Sequence, residues 1–191
     1  LVLALIRSLI NSTREDLIPE FRHYGKAMER WPQHPANGLA PPPEHFRGHS
    51  VNDTLDLVAD AAATAAPAAL CTSLLGAAAA ELLHFDTRVQ RRIDNKVQEN
   101  VGWLDFTHPI TFTNSLRRLS ARYPELWPAG LLQMACFLGR SAPFVDREDP
   151  QDGWFVPDIA ALSSRAIDRI FDHGEPDYIH SVHLVKTFLA A

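Results

Sequence analysis

The spacing of apolar side chains is helical along almost the whole chain, with hardly a run that alternates as a strand would. Ser12 and Glu15 stand at capping-box spacing and open a helix to about Trp31, with Leu17, Ile18, Phe21 and Met28 on its apolar side. Pro32, Pro35, Gly38 and the triplet Pro41 to Pro43 make 32–49 a loop. Beyond it, Asn52 or Asp53 can cap a helix to about Ala66, and Pro67 suits the first turn of another that continues through LCTSLLGAAAAELLHFDTRVQRRI. Alanines between 59 and 80 allow close helix approach, whereas polar residues take over from Asp86 to Asn100 and predict a solvated stretch. Further helices are predicted over about 106–122, from Pro128 to about Arg140, from Pro157 to a C-capping Gly174, and from Pro176 onward. A second loop, 141–156, contains the acidic run DREDPQDG from Asp146 to Gly153. The predicted architecture is a single all-α domain, 1–191, of about seven helices.

Composition narrows the picture. A chain of 191 residues that is 46% hydrophobic can bury a real core as one domain. A net charge of -5 leaves no broad basic footprint, which argues against nucleic acid as a partner. The opening LVLALIRSLI is broken by Arg7, too short to cross a bilayer and without a signal peptide's cleavage pattern, so no membrane is expected. It starts without Met on what reads as helix, which predicts a piece of a longer chain. Cys71 and Cys136 lie far apart in apolar surroundings and fit reduced thiols of a cytoplasmic protein better than a disulfide framework.

Three stretches carry candidate chemistry. In DYIHSVHLVKT, 177–187, three basic groups sit among apolar neighbours; His183 and Lys186, three apart, share a helix face, with His180 set off it. Such groups need partners or water, because an unpaired buried polar group costs about 1–3 kcal/mol. A core histidine beside a lysine that reaches solvent is the structural alternative. In WLDFTHPITFTNSLRRL, 103–119, Asp105 or Thr107 would cap a helix and place His108 in its first turn beside Pro109. A helix N-terminus disfavours the protonated ring, and neutral imidazole is the metal-binding form. Asn114 and Arg118 follow as polar neighbours of a ligand, or as plain helix surface. In AAAAELLHFDTR, 77–88, Glu81, His84 and Arg88 fall on one helix face. Glu81 to His84 has the Glu-x-x-His spacing of di-iron helical bundles, repeated at Glu20 and His23. Asp53, Asp56 or Asp60 could add one further carboxylate, but no clean glutamate offers the other. His-Asp doublets, zinc-type His-Cys spacings, glycine-rich phosphate loops and nucleophile elbows are absent.

Taken together, ELLHFD at 81–86, WLDFTHPITFTNSLR at 103–117 and HSVHLVKT at 180–187 resemble the questin oxidase-like family, in particular the helical metal-binding region associated with Rieske-type iron–sulfur proteins. The resemblance spans roughly 50–191. It implies an oxygenase or other oxidoreductase acting on an aromatic polyketide-like or other apolar small molecule, with one metal, iron before zinc or copper. Carried over by motif, His84, His108 and His183 become metal ligands and Lys186, carbamylated, an anionic oxygen ligand. The family's first histidine would be His23, His49 or a residue upstream, with Glu81 and His180 as further candidates. No Rieske Cys-x-His pattern is present, so an iron–sulfur module would lie upstream or in trans. Trp103, Phe106, Phe112, Phe137, Trp154 and Asn114 are the candidates to line a substrate pocket. Two other readings stand beside this one: a di-iron oxidase built on Glu20, His23, Glu81 and His84, and a non-catalytic helical domain that packs against a partner module.

Overall fold

The computed structural model describes residues 22–89, 101–146, 155–171 and 178–190, with Val2, Leu3 and Ile6 near the start. Among them run seven α-helices: α1 Tyr24–Glu29, α2 Val51–Ala62, α3 Pro67–Leu83, α4 Trp103–Ser120, α5 Trp127–Ser141, α6 Ile159–Phe171 and α7 Tyr178–Ala190. Strand pairing in the described residues is confined to two isolated bridges, Gly38 with Ala65 and Phe85 with Val145. The all-α reading therefore holds, while several boundaries move for identifiable reasons. The expected helix start at Ser12 and stop at Gly174, and the DREDPQDG run after Asp146, lie outside the described residues.

Local chemistry sets most helix starts. α2 is capped by Ser50 rather than by Asn52 or Asp53: the Asp53 N–H donates to Ser50 Oγ at 3.2 Å, and Ser50 Oγ donates in turn to the Asp53 carboxylate at 2.7 Å. α4 begins at Trp103, three residues before the predicted start. Gly102 is its N-cap, and Asp105 reaches back as the third helical residue to accept the Gly102 N–H at 2.9 Å. Asp105 thus closes a capping box from inside the helix. His108 consequently lies in the second turn, and Pro109 lies inside the helix instead of at its edge. Pro109 has no N–H to donate, and the threonines around it bond back to helix carbonyls. Thr107 donates to Leu104 O at 2.8 Å, Thr111 to His108 O at 3.1 Å and Thr113 to Pro109 O at 2.6 Å.

α2, α3, α4 and α5 enclose the main core, where Leu55, Leu70, Leu74, Leu131, Leu132 and Met134 are fully buried. Each such side chain contributes about 1.5–3 kcal/mol by leaving water. Small residues set the helix spacing. A Cβ placed on Gly139 of α5 would lie 2.4 Å from the Val51 Cα, so the start of α2 rests directly on the α5 backbone. Cys71 and Cys136 are buried within this core as free thiols.

The helix from Pro67 stops at Leu83 and does not run on to Ile93, so Glu81, His84 and Arg88 do not share one long helix face. The cause is a second apolar cluster formed by Phe85, Val89, Val101 and Phe106. Phe85 leaves the helix to stack on Phe106, ring centres 4.8 Å apart at 47°. Two backbone bonds hold the new direction, Asp86 N–H to Phe144 O at 2.9 Å and Asp146 N–H to His84 O at 2.8 Å. Val89 belongs to this cluster and is buried, while Thr87 and Arg88 before it are exposed as the polar stretch from Asp86 predicts; 90–100 lie outside the described residues.

α7 lies along α4, and α6 packs on α7. Ile159 and Leu162 of α6, with Phe155 ahead of it, keep much of their apolar surface in solvent. No described helix is long and apolar enough to cross a membrane.

Candidate functional site

The α4–α7 contact brings two of the predicted histidines together. Three-residue spacing on α7 places His183 and Lys186 on the same side, one turn apart. His183 is turned in and is only 8% exposed, whereas Lys186 is exposed. Trp103, the first residue of α4, meets the His183 ring edge-on with centres 5.9 Å apart. On the other side of His183 stands His108, ring centres 6.3 Å apart and planes at 53°. The buried His183 ring thus touches the half-buried Trp103 and lies near the exposed His108.

Past His108 opens a cavity of about 440 Å³. Phe112, Phe137 and Leu189 supply its apolar side, the two phenylalanines in an edge-to-face pair 5.6 Å apart. Its polar side consists of His108, Thr111, Asn114, Ser115 and Lys186. Among the described residues no Asp or Glu lines it. The volume lies within the range of small-molecule sites, about 300–1,000 Å³. Of the candidates to line a substrate pocket, Phe112, Phe137 and Asn114 line this cavity, while Trp103 contacts His183 and Phe106 is buried in the second apolar cluster. Thr111 and Ser115 were not singled out by sequence, although 108, 111, 112 and 115 have the spacing of a single helix face. Leu189 repeats the same relation to Lys186 on α7.

The remaining candidates lie elsewhere. His84 is the C-cap of α3, 4% exposed, next to Phe85 and close in sequence to the equally buried Glu81. His23 faces Asp56 at 2.9 Å, in a surface network where Arg30 reaches both Asp56 and Asp60. His49 is exposed ahead of α2, and Arg118 is exposed on α4. Asp53 is occupied in the Ser50 cap. Glu20, Trp154 and the His180 side chain lie outside the described residues.

For a metal, the donor set is partial. Two imidazoles that hold one ion at about 2.1 Å have ring centres about 4.5–5.5 Å apart at tetrahedral or right angles, so at 6.3 Å the His108 and His183 rings would have to close by about 1 Å or stand nearly trans across the ion. Among the described residues, however, no group of three or more His, Cys, Asp or Glu could hold a metal ion, so His84 does not complete a set with His108 and His183, nor with His23 and Glu81. The pair suits two positions of a coordination shell, not a whole one. No family model matches the chain, and no curated protein and no solved structure matches it either.

Proposed function

We propose that the cleft between α4 and α7 binds an apolar, aromatic-type small molecule and that His108 and His183 hold one metal ion beside it, iron in an oxygenase or related oxidoreductase. The observation that carries this reading is the approach of the two imidazoles at the edge of a cavity walled by Phe112 and Phe137. Two histidines with an oxygen donor and open positions suit iron, although zinc and copper also accept imidazole. Bound there, the ion would supply redox chemistry. The chain's own residues would do the rest: Trp103 fixes the His183 ring, the phenylalanine pair orients a flat substrate, and burial keeps water from the inner imidazole. Carbamylated Lys186 is the oxygen donor that the family resemblance adds. The exposure of that side chain weighs against it, since a carbamate left in water reverts to the amine.

The test is elemental analysis of purified chain beside His108→Ala and His183→Ala. Near-stoichiometric iron in the parent and its loss in both variants is the expected result. Metal retained in both, or none in the parent, ends the reading.

A second reading is favoured by a separate observation, the solvent-facing Phe155, Ile159 and Leu162. Large apolar side chains gathered on one side of a helix suit a docking partner. Here the domain would pack against another module, an iron–sulfur module among the choices. Two buried free thiols fit a reducing compartment such as the cytoplasm under either reading.

A further inference from the structure

The polar groups of the α4–α7 cavity are one-sided in charge: among the described residues they are an ammonium, an imidazole, an amide and hydroxyls, and no carboxylate, in a chain whose net charge is -5. Two described arginines meet acids at the surface: Arg30 reaches Asp56 and Asp60, and Arg88 reaches Asp86 and Asp146. Lys186 has no such partner among the described residues, and it lines the cavity.

Asn114 and Ser115, on the α4 side of the cavity, likewise make no hydrogen bond to a described residue, while the Thr111 hydroxyl is already spent on the His108 carbonyl. The Asn114 amide and the Ser115 hydroxyl are therefore available donors beside the ammonium. Among them, Phe112 on α4, Phe137 on α5 and Leu189 on α7 add apolar surface. A site that sets donors and a positive charge beside aromatic rings discriminates against neutral and cationic molecules of the same shape.

We infer that the ligand of this cleft is an apolar acid, an aromatic or similarly flat molecule with a carboxylate, whose charged end is held by the Lys186 ammonium and the Asn114 and Ser115 donors. The inference rests on the reading of the cleft as a small-molecule site, but gives Lys186 a different duty from that of a metal ligand. Lys186 is an anchor for the substrate's anionic end; it leaves the coordination of any ion to the histidines. The ligand's acid then lies toward Lys186 and its ring against the Phe112–Phe137 pair, in the cavity that His108 also lines.

The experiment is calorimetric binding of naphthoate and of neutral naphthamide to the full chain, repeated with Lys186→Met and Lys186→Arg, with metal content measured on each preparation. Because Lys186 is exposed, the parent is expected to prefer naphthoate by about fivefold. That preference should vanish in Lys186→Met, persist in Lys186→Arg and leave the metal content unchanged. Equal binding of acid and amide by the parent overturns the inference, even if the cleft does bind aromatic molecules. Loss of metal in Lys186→Met overturns it as well, and leaves the metal reading standing with Lys186 as a ligand. If neither compound binds the parent, the inference and the small-molecule reading of the cleft fail together, whereas the metal assay judges the histidine pair on its own. Circular dichroism of each variant verifies that the helices are intact.

Discussion

The His183 imidazole lies 6.3 Å, centre to centre, from that of His108, one ring buried on α7 and the other exposed on α4. Their unequal burial separates structural from functional effects. His183→Ala removes the edge-on contact with Trp103 and leaves a hole between helices, so urea melts should show a loss of about 1–2 kcal/mol. His108→Ala touches an exposed ring and should cost less than about 0.5 kcal/mol. If the two share a metal, both variants lose it regardless of this difference in stability.

Gly139 is a packing residue. An alanine there would place its Cβ within 2.4 Å of the Val51 Cα, a backbone atom that cannot rotate away. Gly139→Ala should therefore force α2 and α5 apart and cost about 1–3 kcal/mol by denaturant unfolding. Gly130→Ala, where the obstacle is the Leu116 side chain, should be milder.

Phe85 holds the turn after α3. Phe85→Ala empties the stack on Phe106 and should destabilise by about 3 kcal/mol, with faster amide exchange at the Asp86 and Asp146 N–H groups that pin the turn. Unchanged exchange at both amides would show that the backbone bonds, not the ring, hold α3 to its length.

Acid should loosen α1 from α2. The hydrogen bond from His23 holds the Asp56 carboxyl below its usual range, with Arg30 adding to the effect. A depressed carboxylate stabilises the fold above its unfolded value of about 3.9 and ceases to do so as pH falls through the lower folded value. Thermal midpoints should drop below about pH 4, and this drop should shrink in Asp56→Asn. The effect is modest, because the pair is largely solvated.

Cys71 should be inert. Burial pushes its thiol up to about 11. At pH 8 almost none is thiolate, so a disulfide reagent should label it only after denaturation. Rapid labelling in the native chain would mean that α3 opens to solvent.

Much of the fold was legible in the sequence because helix periodicity, prolines and caps act over a few residues. The helices from Pro67 and near Pro128 begin within a residue of expectation, whereas Pro109, expected only at a helix start, lies inside α4. The error at α3 has the opposite cause. AELLHFDTRV is a sound helical stretch by itself, and it ends at Leu83 because Phe106 and Val145, distant in sequence, hold Phe85 outside the helix.

The candidate site divides in the same way. Three-residue spacing alone determined that His183 and Lys186 would share a side, and the apolar surroundings of DYIHSVHLVKT determined that these groups would need partners or water. Only the tertiary structure decided which each would find: His183 faces Trp103 and His108, and Lys186 faces the cavity beside Phe112 and Phe137. It likewise decided that His84, alike in residue type and in apolar flanks, would stand apart from them. Helix position is written locally, but which helices meet depends on contacts such as Gly139 against Val51, between residues whose neighbours in sequence say nothing of each other.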